Sequence, residues 1–358
     1  MTTNDKSNEA NKEIITLAHG AGGRAMQNLI EGLFLKAFGD EGLLLKDDQA
    51  RLYLTEYAVH QLAMTTDSYV VSPIQFPGGD IGKLAVYGTV NDLAVGGAIP
   101  LYLSAAFIIE EGLSIAELGS IVYSMAQAAQ TAKVKIVTGD TKVVERGKAD
   151  KLFINTTGIG VIPPNIEISA QKARPGDKVI VNGNIGSHGA AVMLARGELG
   201  LSADIKSDCA PLNLLIQPLL QQFPDIHCMR DATRGGVGVV LNELAQASGV
   251  NIELIEPNLP ITPQVNGVCE LLGLEPLYLA NEGLAVFIVP EEHADAILRQ
   301  MQQHPHGEHA RIIGSVVDSV PDKTTKGQSS QALLYIKNEF GSKRILDIPY
   351  GIQLPRIC

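Results

Sequence analysis

Three aspartates sit in short polar contexts that close apolar runs: Asp67 in Thr-Thr-Asp-Ser, Asp92 in Val-Asn-Asp-Leu and Asp140 in Thr-Gly-Asp-Thr-Lys. Carboxylates at strand ends converge at one rim of a sheet, and convergent carboxylates suit Mg²⁺, which takes oxygen ligands and bridges phosphates. Lys142, two residues after Asp140, is placed to neutralise a transferring phosphoryl group. Any one of these aspartates alone reads as a turn or cap residue. The set points to a metal–phosphate site.

Two glycine-rich stretches precede helical patterns: Gly20-Ala21-Gly22-Gly23 and Pro77-Gly78-Gly79-Asp80-Ile81-Gly82-Lys83. Backbone N–H groups in such loops can approach an anion closely, though glycines also simply make turns. Neither is a Walker A loop, since the spacing before Lys83 is short and Leu84 follows it. In the second half, Asp231-Ala232-Thr233-Arg234-Gly235-Gly236 leads into a helix, with Thr233 as its expected cap and Arg234 where an anion would bind. Glu282, between Asn281 and Gly283 and before an apolar run, reads as a strand-edge base or a turn carboxylate. His304, His306 and His309 lie in a Gln/His/Pro-rich stretch without carboxylates around them and read as a solvated loop.

Cys209, Cys228, Cys269 and Cys358 form no CxxC pair, so a zinc knuckle is not supported. Four cysteines in 358 residues read as reduced thiols, the first three as small core or surface groups. Cys358 is the last residue, which excludes a prenylation box. It reads as a thiol on a mobile, extended tail that reaches about 40 Å from Asp347 at ~3.3 Å per residue, and its terminal place would let an adduct thread into a narrow site.

The elements that must position these residues are legible in outline. Helical spacing runs from Met26 to Phe38, over 81–96, and from a Ser114 cap, with Glu117 completing a capping box, to about Thr131. Strands are expected at 101–109, 134–138 and 152–161. After Pro163-Pro164 and Arg174-Pro175-Gly176-Asp177 the pattern restarts, with strands at 178–181, 251–255, 284–289 and 311–317 and helices at 188–196, 211–222, 236–248 and 291–302. The expected fold class is α+β or α/β, two layered domains each with a sheet covered on one face by helices. The expected divisions are a disordered tail over 1–13, an N-terminal domain over 14–163 that holds the metal–phosphate residues, an α/β domain over 164–346 and a mobile tail over 347–358 that carries Cys358; 320–331 reads as a polar, mobile loop.

An apolar fraction of 45% supplies full cores, and a charged fraction of 19% argues against disorder. A net charge of -11 without a basic stripe argues against nucleic-acid binding. The polar N-terminal stretch lacks the apolar core of a signal peptide, and no segment has the length of a membrane span, so a soluble cytoplasmic protein is the expectation.

Thr66-Asp67-Ser68, Pro77-Gly78-Gly79-Asp80, Asn91-Asp92-Leu93-Ala94, Gly139-Asp140-Thr141-Lys142, Asp231-Ala232-Thr233-Arg234-Gly235-Gly236, Asn281-Glu282-Gly283 and Pro355-Arg356-Ile357-Cys358 together resemble the HypE family of hydrogenase maturation proteins, the carbamoyl dehydratases. The resemblance runs from about residue 14 to the end. The aspartate motifs mark the wider superfamily of aminoimidazole ribonucleotide synthetase, selenophosphate synthetase and thiamine-monophosphate kinase, and the final Pro-Arg-Ile-Cys narrows it. Asp231-Ala232 departs from an expected Asp-Pro.

The resemblance implies a fold of the aminoimidazole ribonucleotide synthetase type and a homodimer formed through the N-terminal sheets, with ATP near that interface. It implies that Cys358 receives a carbamoyl group from the carbamoyltransferase HypF and that ATP drives dehydration of the S-carboxamide to a thiocyanate. The cyano group then passes to iron on the HypC–HypD scaffold, for the NiFe hydrogenase centre. Asp67, Asn91, Asp92 and Asp140 would build the Mg²⁺–ATP site, with Asp67, Asp92 and Asp140 as metal ligands. Gly20, Gly22, Gly23, Lys83 and Arg234 would face the nucleotide. Lys142 would serve phosphoryl transfer, and Glu282 would take the amide proton. A selenophosphate synthetase should carry Cys or selenocysteine in the N-terminal glycine loop, and His19 to Arg24 has none. A thiamine-monophosphate kinase has no use for a terminal cysteine. A non-catalytic scaffold docking partners through the tail is the reading from another class, and it would show no ATP turnover dependent on Cys358.

Overall fold

The computed structural model describes residues 14–21, 23–39, 52, 54–197, 200–318, 332–349 and 356–358. The expectations for 1–13, Gly22, 320–331 and 350–355 lie outside the described residues. The first helical run, α1, comprises Arg24–Leu29, a π-helical turn over Ile30–Leu35, and Lys36–Phe38. Strand β1 spans Gln61–Tyr69, and the short pair β2 (Gln75–Phe76) and β3 (Gly79–Asp80) leads into helix α2 (Ile81–Val95). There follow β4 (Ile99–Glu110), α3 (Ile115–Ala132), β5 (Lys135–Val144) and β6 (Leu152–Ile162). The strands form one sheet in the order β1-β6-β4-β5, antiparallel except for the parallel β4–β5 pair.

Alternation along β1 divides the faces. Thr65, Asp67 and Tyr69 point toward the helices, and Leu62, Met64, Thr66 and Ser68 point outward. Helix α2 is buried on nearly every side, which matches its unbroken run of small and apolar residues. Gly88 lets it lie directly on β1, because a Cβ there would stand 2.3 Å from the Tyr69 Oη. The expected capping box of α3 is absent: Ser114 occupies the N-cap without a side-chain bond, and Glu117 turns instead to Lys151 Nζ at 3.3 Å.

The second half holds β7 (Lys178–Val181), α4 (Ser187–Ala195), α5 (Asn213–Gln222), β8 (Cys228–Asp231), α6 (Gly236–Ser248), β9 (Asn251–Ile255), α7 (Pro263–Leu272), β10 (Ala285–Val289), α8 (Glu291–Gln302), β11 (Arg311–Val317), β12 (Leu334–Lys337) and β13 (Lys343–Ile345). Its sheet runs β13-β12-β9-β11-β7-β10-β8. The expectation of one covered face is corrected here. Val286 and Ile288 of β10 pack with Val237, Leu241 and Leu244 of α6, while Phe287 and Val289 pack on the other side with Leu215, Leu219 and Ile297 of α5 and α8. Every residue of β10 is buried, so both faces needed apolar residues and the strand reads as a continuous apolar run. The molecule is thus an α+β protein with two sheet-and-helix units.

Candidate active site

Residues 356–358 are docked rather than mobile. The Val70 N–H donates to the Cys358 carbonyl at 3.3 Å and the Ser72 N–H to the Arg356 carbonyl at 3.2 Å, so the tail lies antiparallel beside the chain leaving β1. Arg196 Nε donates to the Ser72 carbonyl at 2.9 Å, and its guanidinium reaches the Arg356 carbonyl at 2.8 Å. Arg356 pairs with Asp150. Ile357 is buried within the N-terminal core, and Cys358 packs against that core. Burial of an isoleucine side chain is worth about 1.5–3 kcal/mol, against about 1–2 kcal/mol for each residue ordered, so the hydrogen bonds to the tail carbonyls are needed as well to hold it.

The docked Cys358 has Glu282, Asp67 and Asp231 in its electrostatic surroundings, with Arg234 opposing them. Burial, followed by the charges of Glu282 and Asp67, pushes its thiol up to about 12. Glu282 is itself buried, and desolvation, then the negative charge of Asp208, Asp231, Asp67 and Asp92, holds its carboxyl well above the usual range. Its Oε1 has no hydrogen-bond partner. A carboxyl so placed has the basicity to accept an amide proton.

Asp208, which the sequence reading passed over, holds the loop that presents Glu282. Its carboxylate accepts from the backbone N–H groups of Glu282 and Gly283 at 3.1 and 3.2 Å and from Asn281 Nδ2 at 2.7 Å. Asn91 fixes the same loop from the other domain. Its Nδ2 donates to the carbonyls of Ala210 and Glu282 at 3.0 and 3.1 Å, and its Oδ1 accepts from the Leu212 N–H at 2.8 Å. The side chain expected among nucleotide ligands is therefore spent on joining the two halves. His188 was likewise missed, because a single histidine inside an apolar helix gives no motif signal.

Asp67 and Asp92 are brought together as expected, and Asp231 joins them. Asp92 accepts from the Thr65 hydroxyl at 2.9 Å, and burial followed by Asp67 raises its carboxyl. Burial and the charge of Asp92 push Asp231 up to about 7. Asp140 and Lys142 are not part of this group. They lie inside β5, not at its end, and face outward, whereas Asp67 faces the helices. The ladder from Asp67 crosses Thr156 and Ala105 to reach Gly139, three strand spacings or about 14 Å. Strand alternation thus defeats the expected single rim of three aspartates within one chain. Lys142 Nζ binds Asp140 at 2.7 Å, and that ammonium lowers the Asp140 carboxyl.

Among the described residues no group of three or more His, Cys, Asp or Glu side chains is close enough to hold a metal ion unaided. The chemistry of the donors nonetheless fits Mg²⁺, which is ordinarily held by one or two carboxylates with phosphates and waters completing the shell. Asp67, Asp92 and Asp231 offer hard oxygens that repel one another until a cation arrives.

The glycine loops do other work in this chain. The Asp80 carboxylate accepts from the Gly82 and Lys83 N–H groups at 2.8 and 2.9 Å, so the anion position at the start of α2 is taken by the chain's own side chain, and the backbone of Lys83 serves that cap. Gly20 ends a short 3-10 helix against β5, where a Cβ would meet Val143 at 2.9 Å. Gly23 is the N-cap of α1. Thr233 does not cap α6; Gly235, at φ 77°, does, leaving Arg234 exposed beside the carboxylate group.

A pH test follows from Asp231. The fold holds its proton up to about pH 7, against an ordinary value of about 4, so stability declines as pH rises between those limits and levels off above. Asp231→Asn should therefore gain on the order of 4 kcal/mol over the parent at pH 8, and the gain should vanish by pH 4. Denaturant midpoints at the two pH values measure this; an equal effect at both would show that the carboxyl is not strained in the fold.

Two family models match this chain: the AIR synthase related protein N-terminal domain over residues 46–162 and its C-terminal domain over 174–325. The chain is 52% identical over 350 residues to the carbamoyl dehydratase HypE of Rhodobacter capsulatus, covering 97% of this chain and 98% of that protein. Its fold matches a crystal structure of the hydrogenase maturation protein HypE in complex with ATP, with a TM-score of 0.88 and 47% identity, over 96% of this chain and 99% of the other. It also matches a chain of a HypE–HypF complex, with a TM-score of 0.76 and 47% identity, over 90% of this chain and 99% of the other.

Proposed function

Since the chain belongs to the AIR synthase related proteins and, within them, to the HypE carbamoyl dehydratases, we propose that it uses ATP to dehydrate a carbamoyl group carried on Cys358 to a thiocyanate. The observation that supports this most directly is the docking of Cys358 among Glu282, Asp67, Asp231 and Arg234. ATP supplies the phosphoryl group that turns the carboxamide oxygen into a leaving group. One or two of Asp67, Asp92 and Asp231 would hold Mg²⁺ together with the phosphates, and the ion would offset phosphate charge. Glu282 takes the amide proton, and the sulfur stays bonded to carbon throughout. Burial of Ile357 and Glu282 keeps water from the activated carbon.

Loading belongs to a different position of the tail. A thiol near 12 is a poor nucleophile at neutral pH, so Cys358 accepts the carbamoyl group while undocked, where its value returns toward the ordinary 8.5 or so. The carbamoyltransferase HypF is the donor in this reading, and the HypC–HypD iron scaffold takes the cyano group in the cytoplasm. Mass spectrometry of the carbamoyl-loaded protein tests the assignment: adding ATP should remove the mass of one water from the peptide that holds Cys358. Retention of the carboxamide through ATP turnover would count against it.

The outward face of the N-terminal sheet exposes Leu62 and Met64 together on β1, 62% and 70% accessible, and Ile108 farther along β4, 44% accessible, large apolar side chains that call for a partner. A homodimer through this face would cover them and bring Asp140 and Lys142, which share the face, to a nucleotide at the interface. Met64→Lys should then lower the sedimentation coefficient toward that of one chain and weaken ATP binding. A variant that sediments like the parent would refute this interface.

A further inference from the structure

The docked tail and the base compete for one hydrogen-bond donor. His188 lies in the first turn of α4, wholly buried, with the Phe76 ring edge-on at 5.3 Å. Its Nε2 is 2.8 Å from the Ile357 carbonyl, and its Nδ1 is 2.8 Å from Ser207 Oγ. A carbonyl can only accept, so Nε2 carries the hydrogen and Nδ1 accepts from the Ser207 hydroxyl. Ser207 Oγ in turn accepts from the Cys209 N–H at 3.1 Å. The chain of bonds is complete and leaves one group out. Glu282 Oε1, buried and without a partner, stands 3.9 Å from the same Nε2. A buried acceptor left unpaired is unfavourable, so it takes a donor when one is free.

We propose that His188 is a positioning residue whose Nε2–H is exchanged between the Ile357 carbonyl, when the tail is docked, and Glu282 Oε1, when the tail leaves. A ring shift of about 1 Å converts the 3.9 Å separation into a hydrogen bond. With the tail away, Oε1 is held by His188 and the carboxylate is a weaker base there. With the tail docked, Oε1 is released in the moment that the group on Cys358 arrives. Asp208 strengthens the coupling, since it lies between Ser207 and Cys209 and holds the backbone of Glu282. The catalytic consequence rests on Glu282 being the base; the exchange itself does not.

The exchange can be read without chemistry. The Val70 and Ser72 amides donate to the carbonyls of Cys358 and Arg356, so their hydrogen exchange reports docking in the full-length protein. His188→Ala should speed exchange at both by about tenfold, the worth of one hydrogen bond. Should that variant fold poorly, His188→Gln, which keeps a shorter donor, should give an intermediate rate. Glu282→Ala, by removing the competitor, should slow exchange below that of the parent, and this effect should disappear when combined with either His188 variant. Slowing that persists without His188, or no slowing in Glu282→Ala, overturns the proposal. Dehydration of loaded Cys358 by Glu282→Ala at the parental rate would instead sink only the base assignment.

Discussion

Cys358→Ala will carry no carbamoyl or cyano adduct, while ATP binding stays within about threefold of the parent. The thiol is the atom that bonds the carbon, so its loss removes the reaction rather than slowing it. The fold should tolerate the change. The backbone bonds from Val70 and Ser72 do not use the side chain, Ile357 still fills its site, and the lost sulfur contacts are worth about 1 kcal/mol. The other three cysteines serve as controls. Burial pushes the thiols of Cys228 and Cys269 up to about 11, and burial followed by Glu282 and Asp208 raises Cys209. Serine at any of them should cost stability and leave the adduct intact. Peptide mass mapping after incubation with the carbamoyl donor and ATP decides the matter: label on Cys209, Cys228 or Cys269 with Cys358 bare would overturn the mechanism.

Glu282→Gln will bind ATP and accept the carbamoyl group but convert it about 10²–10⁴ times more slowly, the usual worth of a positioned general base. Glutamine preserves the shape and the backbone bonds to Asp208 and Asn91, so the loop should stay where it is. It also removes a buried carboxyl surrounded by Asp208, Asp231, Asp67 and Asp92, so thermal stability at neutral pH should hold or rise. This combination separates catalysis from folding: slower dehydration with an unchanged or higher Tm is the expected signature. Conversion within threefold of the parent would assign the proton to another group. Lys142→Ala should also slow turnover, but its effect should depend on assembly, since in a single chain Lys142 faces away from Asp67.

How the sequence and the folded chain divide the credit is clearest at individual residues. Helix α2, the buried strand β10 and the restart after Pro163 were legible because period, unbroken apolar runs and proline act locally. Cys358 stood out because a terminal cysteine on an extended stretch is unusual in itself, whereas Asn281-Glu282-Gly283 alone left a base and a turn carboxylate equally open, and the resemblance supplied the role. Asp140 was misplaced because facing depends on a strand's boundaries: β5 runs on to Val144, and alternation then points Asp140 away from Asp67. Asn91 was expected at the nucleotide site from its setting and the resemblance, and only the folded chain shows its amide joined to Ala210, Leu212 and Glu282, more than a hundred residues away. Asp208 and His188 gave no local signal, since each acts through a partner distant in sequence. Residue types determined which chemistry this protein can do; the tertiary structure decided which carboxylate is buried without a partner, which one holds it, and that the tail is docked, because burial and long-range hydrogen bonds exist only once both halves are packed together.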